Sequence, residues 1–208
     1  MTVVIGWLDN GLTTGDFTEC VARLAAFEVS QRRLATTIRI RSGPQMPEGR
    51  NLLVTQFLET DADWLLMVDS DMVFTHRLIE DLLATADRDA APVVGGLCFG
   101  VNQELGQFPT MYTNVDGMPT VSKEIPAGLV KVDATGAACV LTHRSVFEQN
   151  RREGKHTWFH RRVLPTGDVL GEDISWCWWL REQGVPIIVD TTIDVGHVKT
   201  TLVNRATY

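Results

Sequence analysis

The chain has 208 residues, of which 44% are hydrophobic and 22% are charged, a composition typical of one globular domain. Its net charge of −7, from 19 basic and 26 acidic residues, argues against non-specific nucleic-acid binding, which relies on excess positive charge. No apolar stretch is as long as a membrane span, and residues 1–5 lack a basic leader and a cleavage site. The four cysteines are scattered and form no Cys-x-x-Cys pair. We therefore expect a single domain over residues 1–208 that works in the cytoplasm without membrane contact.

The first third of the chain alternates between apolar strands and amphipathic helices. The predicted strands are 2–7, 36–41 and 64–68. One predicted helix begins at Asp16, and a second covers 47–59. Asp16 and Glu19 have the spacing of a capping box, and Leu53 and Phe57 are expected to face the core. Strand–helix units that repeat at intervals of about 30 residues predict a parallel sheet with right-handed crossovers.

The remainder of the chain has a more mixed pattern. The predicted elements are a helix capped by Thr75, strands at 92–99, 137–142 and 185–189, and helices at 144–152 and 172–183. Residues 101–135 contain short extended pieces without a helical period, which predicts a small hairpin-like insertion. The expected fold class is α/β, with a mostly parallel central sheet flanked by helices and a small antiparallel insertion.

Two carboxylates follow the most apolar predicted strand. Residues 64–68 read Trp-Leu-Leu-Met-Val, and Asp69 and Asp71 come directly after them. In open parallel sheets, ligands bind outside the carboxyl ends of the strands. Two acids at i and i+2 on such an edge suit a hard divalent cation and its phosphate ligand. The alternative interpretation is a turn with solvated acidic side chains.

Two further stretches carry candidate functional residues. Glu172 and Asp173 begin the last predicted helix, where acidic side chains also stabilise the helix dipole. Asp173 shares a helix face with Trp176 and Leu180, so we expect it to point inward, where a carboxylate needs a partner or a function. His197 lies beyond the last predicted strand. A lone histidine is more often structural, but a neutral imidazole can complete the coordination of manganese beside carboxylates.

Residues 144–162 are locally basic, with six Lys and Arg residues against two Glu residues. One interpretation is a solvated helix face and loop; the other is a rim that attracts an anionic donor or acceptor. Within this stretch, residues 158–162 are a candidate for a mobile lid or for a segment that needs a partner.

Taken in chain order, these motifs resemble those of glycosyltransferases with the GT-A fold, in particular short members of glycosyltransferase family 2 of the kind found in phage and bacterial genomes. The resemblance extends from Val3 to Thr200. It rests on Asp69–Asp71 after an apolar strand, the helix start Gly171–Ile174, the pair Gly196–His197, and Glu48–Asn51, which is similar to the family's Gly-x-x-x-Ala-Arg-Asn stretch.

The resemblance implies a metal-dependent, hexosyltransferase-type enzyme that is expected to invert the anomeric carbon. The implied metal ligands, for Mn²⁺ or Mg²⁺, are Asp71, Asp69 and His197; the donor contacts are Asp69, Arg50, Asn51 and Lys199; the catalytic residues are Asp173, as base, and Glu172. The expected donor is a UDP-sugar, with a GDP-sugar as the alternative. The hydroxyl acceptor could belong to a protein, a modified DNA base or a glycan.

The sequence departs from the family at the nucleotide-binding turn. The usual Asp-rich turn after the second strand is replaced by Arg41–Pro44, which weakens the case for uracil recognition. Asp9 and Asn10, just beyond the first predicted strand, are therefore alternative donor contacts. The sequence leaves the sugar, the acceptor and the oligomeric state open.

Three other functions fit part of the sequence. Residues 69–73 match the Asp-x-Asp-x-Thr/Val pattern of haloacid-dehalogenase-like phosphatases, but that family carries the pair on its first strand and this chain on its third. Nucleotidyltransferases need a glycine-rich loop after the first strand, for which residues 6–11 are a poor match. A domain that binds a nucleotide sugar or glycan without turnover is the third.

Overall fold

The computed structural model describes residues 1–102, 105–149 and 157–199. The strands are β1 (Val3–Asp9), β2 (Leu34–Arg41), β3 (Trp64–Val68), β4 (Met72–Val73), β5 (Val93–Leu97), β6 (Phe99–Asn102), β7 (Gly106–Pro109), β8 (Met111–Val115), β9 (Met118–Val121), β10 (Leu129–Val132), β11 (Ala134–Thr135), β12 (Cys139–His143), β13 (Arg162–Val163), β14 (Val169–Leu170), β15 (Ile187–Asp194) and β16 (Gly196–His197). The helices are α1 (Gly15–Gln31), α2 (Met46–Leu58), α3 (Leu78–Thr85), α4 (Arg144–Gln149) and α5 (Glu172–Glu182).

Seven strands form the central sheet, in the order β10–β15–β5–β12–β3–β1–β2. β1 is parallel to β2 and β3, and β15 is parallel to β5. β12 runs antiparallel to both of its neighbours, β3 and β5, and β10 runs antiparallel to β15. The sheet is therefore mostly parallel, as predicted, with β12 reversed at its centre.

Helices cover both faces of this sheet. α2, α4 and α5 contribute buried residues to the core on one face, and α1 and α3 to the core on the other. Because both faces are covered, all five residues of β3 are buried, as expected for a continuous apolar run. No helix among the described residues is long and apolar enough to cross a bilayer.

The predicted antiparallel insertion is confirmed. β6 and β7 form a hairpin, and β8 lies between β9 and β11 in a three-stranded sheet. The strand predicted at 92–99 is divided, because β5 ends at Leu97 and Phe99 already belongs to the hairpin.

Several predicted helix ends are wrong by a few residues. Thr14, not Asp16, caps α1, since its Oγ1 accepts the Phe17 backbone N–H at 3.1 Å. Thr75 does not cap α3 with its side chain; the helix begins at Leu78, whose N–H donates to the Thr75 carbonyl. α4 ends at Gln149, and residues 150–152 of the predicted helix lie outside the described residues.

The first two residues of the predicted lid are core residues. Trp158 and Phe159 are only 2% and 1% exposed. The side-chain amide of Asn51 in α2 holds them: its Oδ1 accepts the N–H of Trp158 at 2.7 Å and that of Phe159 at 2.9 Å, and its Nδ2 donates to the Phe159 carbonyl at 2.8 Å. The lid prediction is therefore wrong for Trp158 and Phe159.

These contacts predict a stability cost for Asn51→Ala. The substitution leaves two backbone N–H groups without their acceptor, and an unsatisfied buried donor costs about 1–3 kcal/mol. We expect urea unfolding to show a loss of free energy in that range. Gln31→Ala, at the exposed end of α1, is the control and should change stability by less than about 0.5 kcal/mol. Equal stability of the two variants would contradict this role of Asn51.

Candidate active site

A cleft of about 790 Å³ lies where β1, β2 and β3 end. The residues that line it lie at the ends of these strands, at or before the starts of α1 and α2, or near the end of the described chain. They are Leu8–Asn10, Leu12–Thr14, Ser42–Pro44, Met46, Asp69–Asp71, His197 and Lys199. The cleft is thus at the carboxyl edge of the parallel strands, the position at which open α/β sheets bind ligands.

Asp71, His197 and Lys199 meet at one side of this cleft. The short strand β16 pairs with β4, which places His197 opposite Met72. The Nε2 atom of His197 is 2.9 Å from Oδ2 of Asp71, and Nζ of Lys199 is 3.4 Å from the same oxygen. The Val198 N–H also donates to the Asp71 carbonyl at 2.9 Å. The structure therefore brings together residues that are 126 and 128 positions apart in sequence.

The surroundings of His197 suit a metal ligand. Its Nδ1 is 2.8 Å from the Phe99 carbonyl oxygen, to which it donates, so Nε2 is the nitrogen that faces Asp71. Histidines that bind metals commonly donate their other N–H to a carbonyl in this way.

The carboxylate of Asp71 and the imidazole of His197 are a donor set that suits Mn²⁺. Among the described residues, no group of three or more His, Cys, Asp or Glu side chains could hold a metal ion. A cation at this pair would therefore complete its coordination with water and phosphate oxygens, as ions in phosphate sites commonly do.

Asp69 lines the cleft and also contacts a buried arginine. The Arg50 side chain is 5% exposed, and its Nη2 donates to Oδ1 of Asp69 at 3.3 Å. Its Nε donates to Oε1 of Glu172 at 3.3 Å, and its Nη1 to the Ala137 carbonyl at 3.2 Å. Burial raises the pKa of Asp69, and the charge of Arg50 opposes that shift. Arg50 thus joins the end of β3 to the start of α5.

Asp173 follows Glu172 in the first turn of α5 and is partly buried. The face that it shares with Trp176 and Leu180 is buried, as predicted from the helical spacing. Burial raises the pKa of the Asp173 carboxyl group, and the charge of Arg50 lowers it. The pKa of Tyr112 is raised to about 12, mainly by burial and to a smaller extent by the negative charge of Asp173.

Asp9 lines the cleft, but its carboxylate is already bonded. Nε and Nη2 of Arg39 donate to its two oxygens at 2.6 and 2.8 Å, and the Gly11 N–H donates to Oδ1 at 2.7 Å. The hydrogen bonds from Arg39 hold the pKa of Asp9 below its usual range. Asp9 therefore anchors the loop after β1. Arg39 is not among the predicted site residues, because no local pattern indicates that it pairs with a residue 30 positions away.

The described part of the basic stretch makes structural contacts. Arg144 donates to Glu148 and to the carbonyl groups of Thr60 and Ala62. Arg162 donates to a Glu182 oxygen at 2.9 Å. Arg151, Arg152 and Lys155 lie outside the described residues. The observed contacts favour the interpretation of a solvated face for Arg144 and Arg162.

Comparison with solved structures identifies the fold. GalNAc-T7 with UDP, GalNAc and Mn²⁺ aligns with a TM-score of 0.61 and 10% identity, over 96% of this chain and 43% of that one. S. aureus TarS, residues 1–349, aligns with a TM-score of 0.57 and 13% identity, over 95% of this chain and 60% of that one. A197 from STIV aligns with a TM-score of 0.60 and 19% identity, over 96% of this chain and 87% of that one.

Two of these structures, GalNAc-T7 and TarS, are glycosyltransferases, and this chain spans less than two thirds of either. No family model and no curated protein matches the sequence. At identities of 10–19%, the structural similarity shows the fold. The chain has a glycosyltransferase fold of the GT-A type.

Proposed function

We propose that this protein is a metal-dependent glycosyltransferase that moves a sugar from a nucleoside-diphosphate sugar to a hydroxyl acceptor. One observation carries the proposal: residues 69–71, 172–173 and 197–199 converge at the same edge of the sheet. The similarity of the fold to GalNAc-T7, whose structure contains UDP and Mn²⁺, supports a nucleotide-sugar donor.

In this proposal, Asp71 and His197 hold Mn²⁺ or Mg²⁺. A cation held there would neutralise the negative charge that develops on the leaving diphosphate. Lys199, whose Nζ is 3.4 Å from the Asp71 carboxylate, is proposed to contact the oxygen atoms of this diphosphate. Asp69 is proposed to contact the donor ribose, because it lines the same cleft as Asp71 and Lys199.

Asp173 is proposed as the base that accepts a proton from the acceptor hydroxyl group. A base works best when its pKa lies near the operating pH, and burial shifts the pKa of Asp173 upward in that direction. Direct attack by the acceptor oxygen on the anomeric carbon would invert its configuration. Glu172, which is 13% exposed and bonded to Arg50, is proposed to support this base.

The cation site predicts that Asp71→Asn loses metal-dependent donor binding. The substitution keeps the size of the side chain but removes the charge that attracts the cation. Isothermal titration of UDP and GDP, each with Mn²⁺, Mg²⁺ or EDTA, should show binding that requires the cation in the parent protein and is at least tenfold weaker in the variant. Asp89→Asn, which removes a carboxylate that is 93% exposed, is the matched control. Equal affinity of Asp71→Asn and the parent would contradict the proposed ligand.

The proposed base predicts a different result for Asp173→Asn. Donor binding should change little, because Asp173 does not line the donor cleft. Release of the nucleoside diphosphate from UDP-glucose, UDP-N-acetylglucosamine or GDP-mannose should fall by about 10²–10⁴-fold, the usual contribution of a positioned base.

Glu182→Gln at the other end of α5 is the control, since Glu182 is 49% exposed and bonds to Arg162. Turnover of Asp173→Asn at the parental rate would show that another group is the base. Donor binding without turnover by the parent protein would instead favour the non-catalytic binding domain.

A further inference from the structure

We infer that Arg50 is a positioning residue, which fixes the spacing between the cation-binding edge of the cleft and the acid pair of α5, and is not itself a ligand of the donor. This inference rests on the proposed function. It replaces the donor contact that the sequence resemblance implies for Arg50.

The first support is the geometry of the guanidinium group. Each of its three nitrogen atoms donates to a different segment: Nη2 to Asp69 after β3, Nε to Glu172 in α5, and Nη1 to the Ala137 carbonyl before β12. A guanidinium is planar and its donors have fixed directions, so three simultaneous contacts fix the three acceptors relative to one another. A lysine ammonium at this position could not reach all three.

The second support is that Arg50 is enclosed. It is absent from the lining of the 790 Å³ cleft, and its side chain is 5% exposed. The Phe159 ring, with its centroid 6.0 Å from Cζ of Arg50, covers it on one side, and Asn51 holds Phe159 in place. A donor phosphate could reach Arg50 only by displacing one of its carboxylate partners.

The third support is the close packing of α2 at Gly49, the residue before Arg50. A Cβ atom on Gly49 would lie 2.5 Å from Cδ2 of Leu8 and 3.0 Å from Cβ of Ser42. α2 therefore packs closely against the end of β1 and the turn after β2. The backbone at Arg50 is therefore packed against Leu8 and Ser42, which line the donor cleft. Because the guanidinium group of Arg50 also bonds Glu172, it holds the start of α5 at a fixed distance from the cleft.

The test compares Arg50→Lys with Arg144→Lys. Arg144 is a matched control, because its guanidinium group also donates to three acceptors, one carboxylate and two carbonyl groups, but none of them belongs to the cleft or to α5. We expect the Kd for UDP with Mn²⁺, measured by isothermal titration, to stay within threefold of the parent in both variants. The kcat for release of UDP from a UDP-sugar should fall on the order of 100-fold in Arg50→Lys alone, the cost of a misplacement of about 1 Å.

A tenfold or greater loss of UDP affinity in Arg50→Lys would overturn the inference, because it would make Arg50 a donor ligand. An unchanged kcat would overturn it as well. If the parent protein turns over no nucleotide sugar, the proposed function fails. The positioning role is then tested separately by urea unfolding of Arg50→Lys, Glu172→Gln and the double variant. Coupled unfolding midpoints for Arg50→Lys and Glu172→Gln would support it, and additive midpoints would overturn it.

Discussion

The buried ion-pair network around Arg50 is the interaction on which the candidate site depends. Two carboxylates, those of Asp69 and Glu172, lie within 3.3 Å of one guanidinium group whose side chain is 5% exposed. These two acids and the neighbouring Asp173 repel one another in a partly dehydrated region, and a nearby cation favours their charged forms. Arg50 supplies that cation from within the protein, so the acid pair of α5 and the end of β3 can share one edge of the sheet.

The order of the strands explains why these segments meet. β3 and β5 are not neighbours, because β12 lies between them and runs in the opposite direction. Its reversed direction brings the loop before β12 to the edge at which β3 ends. Ala138 there accepts the Asp69 N–H at 3.0 Å, and Ala137 accepts a hydrogen bond from Arg50. The loop before the reversed strand therefore supports the site with backbone carbonyl groups.

The parts of the site that the sequence could predict are those with a local signal. The strand predicted at 64–68 has the same bounds as β3, because five apolar positions indicate a buried strand and the carboxylate that follows marks its end. The inward face of α5 follows from helical spacing in the same way. The direction of β12, the pairing of Asp9 with Arg39 and the amide contacts of Asn51 all depend on residues far apart in the chain, and local patterns carry no information about such partners. The cap of α1 was misplaced by two positions because Thr14 and Asp16 are both good capping residues.

The charges of the cleft give an independent reason to expect that donor binding needs a cation. Among the residues that the structure describes, the ionisable side chains that line it are Asp9, Asp69, Asp71, His197 and Lys199. Arg39 neutralises Asp9 and Arg50 is shared by Asp69 and Glu172, so Lys199 is left to balance Asp71. A diphosphate that entered this cleft would meet little net positive charge, and the whole chain, at −7, would repel it further. A divalent cation bound by Asp71 and His197 would reverse this balance, which is why metal dependence is the part of the proposal that the electrostatics of the cleft favour most.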